Sequence, residues 1–167
     1  MQYDPVKRRL GVVFNSSPGL RKLFYRLLDL LLLRAWHIQR ELKPWARSRS
    51  AEGTHIYDAG AGFGQYSYWL SGLLPQARIT AIDVKEEQVA DCNAFFQRIG
   101  RPQVKFEVGD VTRFQQPSAF DLVVCVDVME HILEDEAALR CYSTSLKPGG
   151  MLIISTPSDQ GGSDVHE

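Results

Sequence analysis

The feature that most constrains the fold is a regular alternation of short apolar runs with helix-like segments over residues 55–155. Strands separated by single helices of this length predict βαβ units and a parallel sheet. The run Phe120–Val126 is apolar on both faces, which is typical of a central parallel strand. We therefore expect an α/β fold with a mostly parallel sheet and helices on both faces. The predicted strands are His55–Ala59, Arg78–Val84, Val104–Val108, Phe120–Val126 and Met151–Ser155, and the predicted helices are Gln65–Leu73, Glu86–Ile99 and Glu134–Leu146.

Composition agrees with a single globular domain. The 167 residues are 44% hydrophobic and 23% charged, which excludes collagen-like, disulfide-scaffold and low-complexity chains. The three cysteines (Cys92, Cys125 and Cys141) have no metal-binding spacing, so we expect reduced thiols and a cytoplasmic location. The first residues also lack the pattern of a secretory signal.

Charge is unevenly distributed along the chain. Residues 1–50 carry 11 Lys/Arg against 3 Asp/Glu, whereas the remainder has a balance of −9. Within that basic segment, Leu20–Trp36 shows the periodicity of a helix, and its five charged residues exclude a membrane span. Either this helix packs on the body or over a substrate site with its basic residues solvated, or it is a basic amphipathic helix that touches an anionic membrane or a lipid-like substrate.

The pattern divides the chain into three parts. We expect a basic helical segment over residues 1–50, a cofactor-binding domain over residues 51–158 and a flexible tail over residues 159–167. The stretch Lys43–Gly53 is predicted to be a polar connector.

A glycine-rich turn follows the first predicted strand, in the sequence Asp58-Ala-Gly-Ala-Gly-Phe-Gly64. Glycine tolerates positive φ there, and the next helix presents free N–H groups to a ligand. Taken alone, the turn fits either a nucleotide-type site or a tight loop. Gln65 stands where the dinucleotide motif of NAD enzymes needs its third glycine.

Two further acids end the next strands. Asp83 stands where a carboxylate accepts both ribose hydroxyls, although it could instead cap the helix at Glu86. Asp110 could accept a hydrogen bond from the amino group of a base, or it could only cap a turn.

The motifs DAGAGFG, AIDV, VGDV, FDLVVCVDVMEHI and LKPGGMLIISTP occur in this order over residues 54–157. Together they resemble a class I S-adenosylmethionine-dependent methyltransferase with a Rossmann-like fold, and most closely the type 11 group that includes quinone-biosynthesis O-methyltransferases. Residues 1–50 lie outside the resemblance.

The resemblance implies a role for each matching residue. Asp58, Ala59 and the glycines Gly60, Gly62 and Gly64 would hold the methionine portion of S-adenosyl-L-methionine. Asp83 would bind the ribose and Val84 would pack on the adenine, while Asp110, with Val111 beside it, would meet the adenine amino group. Asp127 would lie near the cofactor's amino group and the site of methyl transfer.

His131 is the candidate general base, because histidine titrates near neutrality and this one follows the carboxyl end of a strand. It could instead be a buried structural histidine, or a metal ligand with Glu130 and Asp127. We expect catalytic roles for His131 and Asp127 and no metal at this site.

The expected function is methyl transfer to a small, lipid- or quinone-like acceptor. The alternatives are an RNA methyltransferase, or a non-catalytic cofactor-binding module of the same fold. Nucleic acid is not expected as a partner, whereas membrane contact through residues 18–36 is an open expectation. The motifs end after the fifth strand, so we also expect a truncated sheet whose exposed edge supports a dimer.

Overall fold

The helices and strands alternate along the chain much as the sequence predicts. The computed structural model describes residues 17–31, 33–49 and 52–156. The elements are α1 (Pro18–Leu31), α2 (Leu33–Arg47), β1 (His55–Ala59), α3 (Gln65–Leu73), β2 (Arg78–Asp83), α4 (Glu86–Arg98), β3 (Val104–Val108), β4 (Phe120–Val126), a single 3-10 turn (Met129–His131), α5 (Asp135–Ser145) and β5 (Leu146–Ser155).

The five strands form one parallel sheet in the order β3-β2-β1-β4-β5. The chain reverses its direction across the sheet between β1 and β4, and a crevice for ligands opens at the carboxyl ends of strands that flank such a point. Asp58 pairs with Val124, and Ala59 pairs with Cys125. The loops that follow β1 and β4 therefore leave the sheet side by side.

Apolar residues cover both faces of the sheet. On one face, Ile56, Ala81 and Leu122 pack in a cluster that includes buried residues of α1, α2, α3 and α4. On the other face, Tyr57 and Val123 pack with residues of α5. The predicted α/β architecture with helices on both faces is confirmed.

The N-terminal segment differs from the prediction in two ways. It contains two helices where one was expected, and α2 continues through the first five residues of the predicted connector, with Pro44 inside it. The reason is a buried stripe at helical spacing, formed by Ala35, Ile38, Leu42 and Ala46. Burial of this stripe on the body outweighs the local preference of a polar, proline-containing stretch.

Residues 147–150, in the LKPGG motif, interrupt the register of β5. Phe120 pairs with Leu146, but Leu122 already pairs with Met151, so the residues between them bulge out. A Cβ on Gly150 would lie 2.9 Å from the Lys147 carbonyl oxygen, which explains the glycine. The predicted tail over residues 159–167 lies outside the described residues, and the three-part division stays a prediction.

Candidate functional site

The loop after β1 is the tightest part of the crevice. Gly60, Gly62 and Gly64 all have positive φ, and the Ala61 amide donates to the Ile82 carbonyl at 3.0 Å. A Cβ on Gly60 would lie 2.4 Å from Cγ2 of Val128, so the loops after β1 and β4 touch each other. In contrast, a Cβ on Gly62 would meet only the Gly60 carbonyl oxygen, at 4.0 Å. The backbone at Gly62 is thus open to a ligand.

Asp58 is buried at the base of this loop and is tied to α3. Its Oδ2 accepts hydrogen bonds from the Ser67 hydroxyl at 2.6 Å and from the Ser67 amide at 3.1 Å. Burial raises the pKa of Asp58 to about 6, although both Ser67 contacts favour the charged form. Asp58 therefore fixes the first turn of α3 to β1, and Ala59, also buried, ends the strand beside it. Direct contact of either residue with a cofactor stays a prediction.

Asp83 joins the second strand to the glycine-rich loop. Its Oδ2 accepts from the Gly62 amide at 2.9 Å, and its Oδ1 accepts from the Lys85 amide at 3.0 Å. The N-cap of α4 is Lys85, with no side-chain capping bond, so the interpretation of Asp83 as the cap of that helix is not supported. Beside it, Val84 has 66% of its surface exposed and offers an apolar contact at the edge of the sheet.

Asp110 forms a local turn. Its Oδ1 accepts from the Thr112 hydroxyl at 2.7 Å and from the Thr112 amide at 2.9 Å, which lowers the pKa of Asp110. The turn-capping interpretation thus describes what is seen, while contact with a base stays a prediction. Val111 is 7% exposed and packs in the second apolar cluster, so its side chain faces the core.

Asp127 has the most unusual backbone in the crevice. It follows β4 in the left-handed region with φ 55°, and its amide donates to the Ser155 carbonyl at 2.9 Å. Strain of this kind, held in place by the surrounding structure, is typical of functional positions. Nη1 of Arg34 lies 2.6 Å from Oδ1 of Asp127. Burial raises the pKa of Asp127, and the Arg34 charge opposes that change.

His131 lies in the 3-10 turn directly after Asp127. Its side chain is exposed, so the interpretation as a buried structural histidine does not fit. Across residues 17–31, 33–49 and 52–156, no group of three His, Cys, Asp or Glu side chains is arranged to hold a metal ion. His131 is thus exposed on the turn that follows Asp127, and its catalytic role stays a prediction.

The N-terminal helices contribute groups that the sequence does not reveal. Arg34 of α2 pairs with Asp127, and Oδ1 of Asp29 in α1 accepts from the Gln65 amide group at 2.8 Å. Burial raises the pKa of Tyr66, and the charge of the Asp127 carboxylate adds to that rise. Gln65 and Tyr66 open α3 directly after the glycine-rich loop, so their position in the chain was a usable signal. Nothing in the sequence indicates that Arg34 pairs with Asp127.

Comparisons with known proteins match most of the α/β body of the chain. The family described as "Methyltransferase domain" matches residues 56–150. The ubiquinone biosynthesis O-methyltransferase of Xanthomonas euvesicatoria is 35% identical over 106 residues, which are 62% of this chain and 43% of that protein. This chain thus spans less than half the length of that relative.

Solved structures show the same architecture. A SAM-dependent methyltransferase from Aquifex aeolicus superposes with a TM-score of 0.65 at 22% identity, covering 83% of this chain and 71% of its own. The [4+2]-cyclase SpnF superposes with a TM-score of 0.60 at 27% identity, covering 68% of this chain and 43% of its own. Proteins of this fold thus include both a methyltransferase and a cyclase.

Proposed function

The chain belongs to the methyltransferase-domain family of class I, S-adenosylmethionine-dependent enzymes, and from that premise we propose that it transfers a methyl group from S-adenosyl-L-methionine to a small acceptor. The observation that carries the proposal is the bond between the Gly62 amide and Asp83. It joins the two parts of the crevice that would hold the two ends of the cofactor, its amino-acid tail and its ribose.

The residues present fit such a cofactor. The space over Gly62 is open, and Asp83 uses one lone-pair site on each oxygen for backbone amides, which leaves acceptor capacity for a diol. The exposed Val84 supplies an apolar surface for a flat base. Asp127 and Arg34 together offer an anion and a cation to a zwitterionic amino-acid end.

When bound, the cofactor supplies a methyl group on a positively charged sulfur that is already activated for transfer. The protein's own residues then need to orient the acceptor and handle one proton. Holding the acceptor in a reactive geometry is worth about 7–11 kcal/mol. We propose His131 as the general base for a hydroxyl acceptor, since it is exposed one turn beyond Asp127. Arg34 would keep Asp127 ionised and oriented.

A lipid- or quinone-like acceptor is supported by the surface of the N-terminal helices. Four leucines of α1 are exposed along one stripe: Leu20, Leu23, Leu27 and Leu30. Lys22 and Arg26 lie exposed beside them, and Trp36 of α2 is 55% exposed. We propose that this surface makes peripheral contact with an anionic membrane. None of the described helices is long and apolar enough to cross a bilayer.

Two other functions stay open as proposals. Cofactor binding without methyl transfer is one of them, since Arg34 already pairs with Asp127, an acid expected to take part in catalysis. RNA as acceptor has weaker support, because among the aromatic residues of α1 and α2 only Trp36 is more than half exposed.

The outer edge of the sheet suggests how two chains could associate. Among the described residues β5 pairs only with β4, and we propose that its free edge supports a dimer.

The experiment that tests the function is a transfer assay with the cofactor labelled on its methyl group. The chain is incubated in parallel with a lipid extract, a set of phenolic small molecules and total RNA. Label in the lipid or phenolic fraction supports the proposal, and label in RNA favours the alternative acceptor. Tight binding of the cofactor with no transfer to any fraction would contradict catalysis and support a binding module.

A further inference from the structure

The basic segment places one arginine in the core, contrary to the expectation that its charges are solvated. Arg21 of α1 is 3% exposed, and its guanidinium stacks over the ring of Phe95 at 4.6 Å. Its Nε donates to the Tyr25 hydroxyl at 2.9 Å, and its Nη2 donates to the Phe63 carbonyl at 2.9 Å. A buried cation needs such acceptors to offset the loss of water. Here the acceptor belongs to the glycine-rich loop.

A second side chain of α1 reaches the same carbonyl. Tyr25 is 1% exposed, its ring packs 4.9 Å from that of Tyr68, and its hydroxyl donates to the Phe63 carbonyl oxygen. Two residues one helical turn apart therefore converge on a single backbone oxygen. Because two side chains of α1 donate to it, the carbonyl group of Phe63 is held in a fixed orientation.

The body holds the other side of the same loop. The Gly62 amide donates to Asp83, and the Gly62 carbonyl accepts from the Cys92 thiol at 3.5 Å. Because a peptide unit is planar, a fixed carbonyl also fixes the direction of the next N–H group. The peptide units around Phe63 are thus oriented from one side by α1 and from the other side by Asp83 and Cys92.

We propose that Arg21 and Tyr25 are positioning residues that hold the glycine-rich loop in the conformation that binds the cofactor. The inference rests on the proposed function. It assigns part of the cofactor affinity to α1, which lies outside the matched residues 56–150. By linkage, cofactor binding strengthens the docking of α1 by the same factor as docked α1 strengthens cofactor binding.

The chain offers a matched control. Arg101 is also an arginine that stacks on an aromatic ring, over Tyr68 at 4.5 Å. Its Nη1 donates to the Tyr68 carbonyl at 2.6 Å and to the Ser71 hydroxyl at 2.9 Å. It therefore anchors α3 without touching the loop.

The test compares Tyr25→Phe, Arg21→Gln and Arg101→Gln with the wild-type chain. Calorimetry measures binding of S-adenosylhomocysteine, and hydrogen exchange without ligand measures protection of the Gly62 and Gly64 amides. We expect Tyr25→Phe to bind about three- to tenfold more weakly and Arg21→Gln about tenfold or more, with faster exchange in both. Arg101→Gln should bind S-adenosylhomocysteine with an affinity within about twofold of wild type. This should hold even if its melting temperature falls as much as that of Arg21→Gln.

Unchanged affinity and unchanged loop exchange in Tyr25→Phe would overturn the proposal, even if Arg21→Gln fails to fold. A wild-type chain that binds no adenosyl ligand would instead contradict the proposed function. The exchange rates would in that case still decide whether α1 holds the loop.

Discussion

The amide nitrogen of Gly62 lies 2.9 Å from Oδ2 of Asp83, so the glycine-rich loop and the acid at the end of the second strand form one unit. The Ala61 amide adds a second link, to the carbonyl of Ile82. These two hydrogen bonds hold the loop and the end of β2 together. This arrangement places the proposed ribose acceptor and the proposed amino-acid site at a fixed separation before any ligand binds.

Gly64 tests whether the loop tolerates a side chain. Its φ is 78°, and a Cβ there would lie 2.8 Å from the Phe106 ring, in the core. Gly100 is the matched control, since its φ is 71° and its Cβ would meet nothing within 4 Å. We expect Gly100→Ala to cost about 1–2 kcal/mol of unfolding free energy from the left-handed backbone alone. Gly64→Ala should cost a further ~1–3 kcal/mol from overpacking. Equal losses in urea unfolding would contradict the packing described for the loop.

Asp58 should make the stability depend on pH in a distinctive way. Its folded pKa of about 6 lies above the usual value for an unfolded chain, so the folded state holds a proton that the unfolded state has lost. This group therefore contributes stability at low pH, and that contribution declines as pH rises from about 4 to about 6. Asp58→Asn should remove the decline, so the pH profiles of wild type and variant should differ by on the order of 3 kcal/mol. Parallel profiles in urea unfolding would show that the acid is not buried as described.

Asp127 should recognise the amino end of the cofactor. Asn also tolerates the left-handed backbone at this position, so Asp127→Asn changes mainly the charge. We expect binding of S-adenosylhomocysteine to weaken about 10- to 100-fold, because a hydrogen bond to a charged group is lost. Methylthioadenosine has no amino-acid end, and its affinity should stay unchanged. Glu130→Gln serves as a neighbouring control, and equal weakening of both ligands by Asp127→Asn would exclude this role.

His131 should act on the rate of transfer and not on cofactor binding. Removing a general base lowers the rate about 10²- to 10⁴-fold, so His131→Ala should show that loss with unchanged affinity for S-adenosylhomocysteine. His37→Ala, at another exposed histidine, should leave the rate unchanged. A chelator should have no effect on the wild-type rate. Full activity of His131→Ala would dismiss the base, and inhibition by the chelator would favour the metal-ligand interpretation.

The strands and the loop were predictable because their signals are local. The apolar runs predict the observed first and last residues of β1, β3 and β4, and the glycine spacing indicates the turn at residues 60–64. The parallel order of strands then placed Asp58, Asp83 and Asp127 at one edge of the sheet. Five short motifs in a fixed order were thus enough to predict the sheet, the glycine-rich loop and the acids at its edge.

The contacts of the N-terminal segment could not be predicted in this way. Whether Arg21 is solvated or buried depends on Phe63 and Phe95, which lie far along the chain. The partner of Arg34 is equally distant in sequence. Local patterns show that a helix has a basic and an apolar face, but tertiary packing decides which basic residue turns inward. The same packing extended α2 into the first part of the predicted connector.

The most direct test of the account is calorimetric titration of the wild-type chain and of Asp83→Ala with S-adenosylhomocysteine. Asp83→Ala removes the proposed ribose acceptor and the bond to the Gly62 amide together. We predict saturable binding by the wild-type chain and binding about 100-fold or more weaker in the variant, with the circular dichroism of the fold retained. Equal affinity in the two proteins, or no heat from the wild-type chain at all, would contradict the central claim.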